Sequence, residues 1–348
     1  MLLARKGRRV LVVDRATFPS DTMSTHFLTG EGVGYLQAWG LLDRVMATGV
    51  PPITDLRMFI GDTRLPPFAA GSPTPICPRR TVFDKILIDA AVEAGAEVRE
   101  GFSVDEILFD GERVTGIRGH GRDGVDVTES ATIVVGADGK SSPVAKAVNA
   151  PEYNTLEPAT CAYYSYWRGV EAEGAEIHIK AGRMVFLFPT HDNQVCAGTE
   201  WPVSRFEEFR RDIEGNLMRT FESVPGLAER IRKGKREEKI MGTAGHRSYY
   251  RKPFGPGWAL AGDSGFMKDP LLGQGIADAF RDVALLTAAL EEGWSGRQPL
   301  DEALAAYEAK RNAASKMRYQ ITNTLIADLD PSPELQMMMA AGPPPKVD

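Results

Sequence analysis

The chain has 348 residues, 43% of them hydrophobic and 25% charged, an ordinary globular composition long enough for two domains. A net charge of -6 argues against a nucleic-acid surface, and the densest basic run, residues 230–239, is broken by two glutamates and reads as a solvated helix end or turn. Cys77, Cys161 and Cys196 lie too far apart for a metal-binding pair or a disulfide framework, which fits a reducing cytoplasm, and no apolar run approaches the roughly 18 residues of a membrane helix.

In chain order, residues 9–14 (RVLVVD) read as a strand ending in the acid Asp14. In a dinucleotide fold such an acid binds ribose hydroxyls, and a Gly-x-Gly-x-x-Gly loop precedes it by about 20 residues. Counting back passes Met1, so the first strand and its phosphate-binding loop are expected to lie ahead of this sequence, leaving two inner sheet edges unpaired. A polar loop over 18–29 carries His26, a candidate catalytic residue, and leads into a helix over 32–42. Residues 78–101 read as an amphipathic helix followed by a short strand, with Val82, Ile86, Ala90 and Val92 near one face. Asp110-Gly111 and Asp123-Gly124 break the stretch 103–127 into hairpins. Residues 131–142 (ATIVVGADGKSS) read as a buried parallel strand over 132–135, a tight turn at 136–139, and helix-capping Ser141 and Ser142. Alternating, aromatic-rich strands over 161–201 predict an antiparallel sheet, and 206–221 and 227–232 read as helices covering it.

The stretch 257–280 (GWALAGDSGFMKDPLLGQGIADAF) combines a buried strand over 258–261, the pair Gly262-Asp263, a loop with Pro270, and Gly273-Gln274-Gly275 opening a helix. In that helix Ile276, Ala279, Phe280, Val283, Leu286 and Leu290 keep helical spacing, and long helices continue to about residue 328. A glycine-rich helix start presents free N–H groups and the positive end of the helix dipole. A short carboxylate after a strand accepts hydrogen bonds from a polyol. Together they suit a cofactor with a polyol arm and a head group that becomes negative, as reduced flavin does. Residues 331–348 read as a loosely ordered tail.

This last stretch resembles the second FAD motif of the flavoprotein monooxygenase superfamily, the para-hydroxybenzoate hydroxylase-like fold, and its Gly-Phe-Met-Lys-Asp-Pro-Leu wording resembles the geranylgeranyl-reductase-like branch. Phe266 and Ala277 stand where many hydroxylases have His and Asn. The Gly136-Ala137-Asp138-Gly139 turn resembles the superfamily's motif for FAD and NAD(P)H, and Arg80 with Phe83 and Asp84 resembles the segment whose arginine reaches the FAD phosphates. The resemblance implies an α/β fold: a Rossmann-like FAD-binding domain, incomplete at its N-terminus, from residues 1–154 and 241–328 with a small β insertion at 102–130, and an antiparallel β-sheet substrate domain at 155–240. It implies cofactor contacts from Asp14, Arg80, Asp138, Gly139, Gly262, Asp263, Pro270, Gly273, Gln274, Gly275 and Ile276.

The implied cofactors are FAD and, as reductant, NADPH or NADH. The implied partner is a hydrophobic small molecule; no nucleic acid, transmembrane segment or metal is expected. The resulting reading is an NAD(P)H-using monooxygenase of a hydrophobic or aromatic compound. The alternatives are a geranylgeranyl-reductase-like enzyme acting on isoprenoid double bonds, a remnant that binds no flavin, and, less favoured, a plain NAD-dependent dehydrogenase. Phe188-Pro189 resembles a signature of reductase- and halogenase-like members. Halogenases carry a catalytic lysine before that signature, and nothing in the spacing selects Lys180 for the role.

Overall fold

A computed structural model describes residues 1–65, 73–327, 329, 332–334 and 337. Most of the expected tail at 329–348 therefore lies outside the described residues.

The fold is mixed α/β, and its largest element is a twisted sheet of eight strands. Thr160–Arg168, Gln194–Pro202, Arg183–Thr190 and Ala175–Lys180 run antiparallel, each beside the next. Leu56–Ile60 then adds parallel to Ala175–Lys180, although it lies within the segment 1–154. Side chains alternate between the two faces, so one sheet serves two cores. On the outer face Tyr163, Trp167, Leu187 and Trp201 pack against Phe209, Leu217, Phe221, Leu227 and Ile231. These come from the helices Phe206–Arg211, Ile213–Glu222 and Leu227–Lys233. On the inner face Tyr164, Tyr166, Ile177, Ile179, Met184, Phe186 and Phe188 pack against Phe27, Leu271 and Leu325.

The remaining parallel strands stand in two pieces. Leu11–Asp14 pairs with Glu97–Glu100, and Val134–Gly136 pairs with Trp258–Leu260. Among the described residues neither Leu11–Asp14 nor Val134–Gly136 has a second neighbour. This corrects the expectation of a buried strand over 132–135: the strand is shorter, Thr132 is exposed, and Val135 is 36% exposed, on a strand with one partner among the described residues. Trp258–Leu260 is buried throughout, as its apolar run requires.

Helix Arg80–Glu93 forms where the period predicts, but its buried positions are Phe83, Ala90 and Ala91. Val92 faces solvent, a correction to the expected apolar face. The hairpin strands Ser103–Asp110, Arg113–His120 and Asp126–Ser130 form a separate antiparallel sheet. Helices Gly275–Trp294 and Leu300–Ala327 close the molecule, with Leu286, Leu290, Leu304 and Tyr307 packed over Ala259 and Ala261. Among the described residues no helix is long and apolar enough to cross a membrane.

Candidate cofactor and substrate site

The two glycine–aspartate motifs, far apart in sequence, are bonded to each other. Ala261 donates its N–H to the Gly136 carbonyl at 3.0 Å, and Ser264 Oγ donates to the same oxygen at 2.5 Å. Tyr249 Oη reaches the carbonyls of Asp263 and Lys140 at 2.7 and 3.2 Å. Gly262, at φ 62°, makes the left-handed turn that ends the strand. Behind it Arg311, fully buried, donates to the carbonyls of Gly265 and Arg251 at 3.0 and 2.9 Å. Ser264, Tyr249 and Arg311 carry no motif signature, and sequence reasoning missed them. Only their tertiary partners reveal the role.

Asp263 is open to water, whereas Ala261, Gly262 and residues 264–269 around it are buried. Its carboxyl nevertheless lies deep among protein atoms, and that desolvation, reinforced by Asp278, pushes its pKa up to about 6 against the pull of Arg80, Lys140 and Lys268. The Asp263 carboxylate is thus both wetted and closely surrounded by protein. Arg80 therefore lies within electrostatic reach of Asp263, while its guanidinium is engaged by Asp84 at 2.7 and 2.8 Å. Its neighbour Arg79 turns the other way. It stacks on Tyr166 at 3.7 Å and pairs with Glu238 at 2.6 Å.

Pro270–Leu272 forms one tight turn, capped by Asp269, and Gly273 at φ 61° redirects the chain into helix Gly275–Trp294. Gly273 donates its own N–H to the Pro270 carbonyl at 2.7 Å. It is thus removed from the expected set of free donors, because the turn uses its hydrogen. The N–H groups of Gly275, Ile276 and Ala277, at the start of the helix, have no intrahelical acceptor. A Cβ placed on Gly275 would meet nothing within 4 Å, and Gln274 Oε1 is buried without a partner. Open space at a helix start, an orphaned acceptor and a wetted carboxylate fit a bound FAD. In the helix's first turn, buried Asp278 is neutralised by Lys268 and Arg281, so the positive end of the helix dipole is not cancelled.

The remaining expected residues are placed as follows in the fold. Asp14 ends its strand half-buried and accepts the Ala16 N–H at 2.8 Å. Asp138 is exposed and accepts the Val144 N–H at 3.1 Å, with Gly139 turning at φ 77°. His26 is buried on the inner face of the large sheet. Its Nε2 lies 2.8 Å from Tyr166 Oη, and its Nδ1 has no partner. Burial and the nearby Arg79 and Arg80 push its pKa well below the ordinary histidine value, so it is a neutral imidazole at pH 7. Pro270, Leu271 and Gly273 face Phe27, Phe186 and Phe188 across a small apolar cleft of about 10 Å³. A far larger cavity of about 580 Å³ opens on the opposite side of the sheet, beside Arg57, Glu176 and Arg230. Charged and apolar side chains both line it, and its lining includes no residue of either motif.

Residues 1–321 match the family described as FAD binding domain. Digeranylgeranylglycerophospholipid reductase 1 of Methanopyrus kandleri is 32% identical over 213 residues, covering 58% of this chain and 53% of that protein. The chain spans about half the length of such curated relatives. Among solved structures, the myxobacterial chondrochloren halogenase CndH superposes with a TM-score of 0.85 at 22% identity, covering 92% of this chain and 77% of that one. PqsL of Pseudomonas aeruginosa, a probable FAD-dependent monooxygenase, superposes with a TM-score of 0.79 at 20% identity, covering 98% and 94%.

Proposed function

We propose, from the chain's membership of the FAD binding domain family, that it is an FAD-dependent oxidoreductase reduced by NADPH or NADH and acting on a hydrophobic molecule. The observation that carries the reading is the wetted, deeply placed Asp263 beside the open helix start at Gly275, with an aromatic-lined cleft at the Pro270–Leu272 turn that leads into that helix. Asp263 would hold the ribityl hydroxyls. Arg80 would face the phosphates, Asp14 the adenosine ribose, and Asp138 with Gly139 the second cofactor motif. The donors of Gln274, Gly275 and Ile276 would meet the pyrimidine edge, with Pro270 beside the ring and Gly262 and Gly273 setting the two turns. Bound there, FAD supplies reversible two-electron chemistry. The protein's part is to orient it, favour negative charge at the helix start, and keep water from the apolar cleft.

The first reading of the reaction is monooxygenation of an aromatic or other hydrophobic compound, for which His26 and Tyr166 offer neutral polar groups within an apolar wall. The 32% identity to the archaeal reductase favours a second, reduction of isoprenoid double bonds. Halogenation has less support. The described inner-face residues of the cleft include no lysine, and Lys180 lies on the other face, paired with Asp62. Oxygen separates the two readings. Consumption of O2 together with NAD(P)H in the presence of substrate supports the first. Anaerobic hydrogenation of a digeranylgeranylglycerophospholipid, with no substrate-dependent O2 uptake, replaces it with the second. A purified protein that retains no FAD contradicts both.

A further inference from the structure

One buried group on the inner face belongs to none of these roles. Glu200 lies on strand Gln194–Pro202, across from Ala162 on one side and Met184 on the other, and is 1% exposed. Its surroundings on that face are largely apolar or aromatic, and it is tied to Thr160 and, through Thr160, to Asp269 from the loop that leads into Pro270. Thr160 Oγ1 lies 2.8 Å from Asp269 Oδ2 and 3.3 Å from Glu200 Oε2.

One hydroxyl carries one proton, so it cannot donate to both carboxyls. The surroundings decide which is served. Asp269 also accepts the Leu271 N–H at 3.1 Å and a backbone hydrogen bond from Thr160. Those donors favour its charged form, although burial raises it too. Glu200 has only Thr160 for a partner among the described residues. Two carboxylates this close in an apolar setting do not both ionise. Burial and the Asp269 charge together hold Glu200 well above the ordinary carboxylate range. The arrangement that satisfies every atom runs one way: Glu200 O–H donates to Thr160 Oγ1, and Thr160 O–H donates to Asp269. Cys161, whose thiol burial pushes up to about 11, is the other titratable group near the pair and stays neutral.

Among the described residues Glu200 is also the one acid that lines the small cleft, with Thr25, Phe27, Phe186, Phe188 and Pro270. At about 10 Å³ that cleft has room for about one water. A group entering it from the Pro270 side meets aromatic rings, Thr25 and the Glu200 carboxyl.

We propose that Glu200 is a specificity-determining residue of the substrate cleft: a carboxylic acid whose O–H turns from Thr160 to an oxygen acceptor on the bound molecule, while Thr160 continues to hold Asp269. The substrate class narrows accordingly, to hydrophobic molecules carrying a carbonyl, hydroxyl or ether oxygen at the end that enters the cleft. The inference rests on the reading above that substrate lies between the inner face of the sheet and the Pro270–Leu272 turn.

Infrared spectra of the whole chain at neutral pH test the proton directly. A carboxylic C=O band is expected that Glu200→Gln removes and Asp269→Asn does not. If Glu200→Gln removes only carboxylate bands, the proposal is overturned. In the FAD-loaded protein the aromatic ketone acetophenone should shift that band, and the hydrocarbon ethylbenzene should not. Glu200→Met should weaken acetophenone binding, read from the flavin absorbance, by about tenfold and leave ethylbenzene unchanged. An equal response to both probes overturns the proposal while leaving the flavin assignment intact. Failure of the wild type to retain FAD sinks the functional reading instead, and the infrared band still reports on Glu200. The near-isosteric Glu200→Gln variant, with its urea midpoint measured, guards against a folding artefact.

Discussion

The large antiparallel sheet and the parallel strands that carry the two glycine–aspartate motifs differ in how completely they are enclosed. Gln194–Pro202 has a partner strand on each side and is buried from Val195 to Trp201. Val134–Gly136 has one partner and a half-open face. The large sheet therefore carries a core on each face, the inner one shared with Phe27, Leu271 and Leu325. The parallel strands combine smaller apolar clusters, such as the one around Ala259, Leu290 and Tyr307, with long-range polar ties such as Ser264 to Gly136 and Arg311 to Gly265. A ligand that binds only the folded protein at those less enclosed strands would stabilise them by mass action.

The sharpest test of that contrast is a pair of core changes. Phe221→Ala, on the outer face of the sheet, should cost about 3–5 kcal/mol in urea unfolding, whereas Val135→Thr should stay within about 0.5 kcal/mol. Equal costs would erase the distinction. Asp263→Ala should lower FAD affinity tenfold or more, about 1.5–3 kcal/mol, with the circular dichroism spectrum unchanged. Flavin content that survives dialysis unaltered would count against Asp263 as a ligand.

The same aspartate gives a pH effect of known sign. Its folded pKa of about 6 lies above the ordinary 3.8, so the folded state binds the extra proton. Its contribution to stability is fully present below the ordinary value and declines as pH rises to about 6. In FAD-free protein, Asp263→Asn should flatten that decline; parallel wild-type and variant curves would refute the burial argument. A modest effect is expected for Asp138→Ala, about 0.5–1 kcal/mol from the lost bond to Val144 N–H at an exposed site, with the large sheet unaffected in hydrogen exchange.

What could be read from the sequence follows the range of the interactions involved. The strand at Trp258–Leu260, helix Gly275–Trp294 and the alternating aromatics of the large sheet are written in periods of a few residues, and they formed as the pattern predicts. The two glycine–aspartate turns were legible because a left-handed φ needs glycine. The sequence could not show that Leu56–Ile60 joins the far edge of the sheet, since strand pairing is a long-range choice. Nor could it show that the turn uses the Gly273 N–H, or that Arg79 and Arg80, adjacent in sequence, point toward different partners. Glu200 was invisible for the same reason: an acid in an alternating strand looks solvent-facing until the register places it between Ala162 and Met184.

The tie from Ser264 to Gly136 spans 128 residues of sequence. During synthesis at roughly 5–20 residues per second, the second motif leaves the ribosome roughly 6–25 s after the first. Through that interval the Val134–Gly136 strand waits without Trp258–Leu260, its one neighbour among the described residues, while the substrate sheet can already close. Flavin loading that depends on both motifs is thus a late event in the life of each new molecule, and its yield in a cell becomes a race between the last helices arriving and the waiting strand finding the wrong partner.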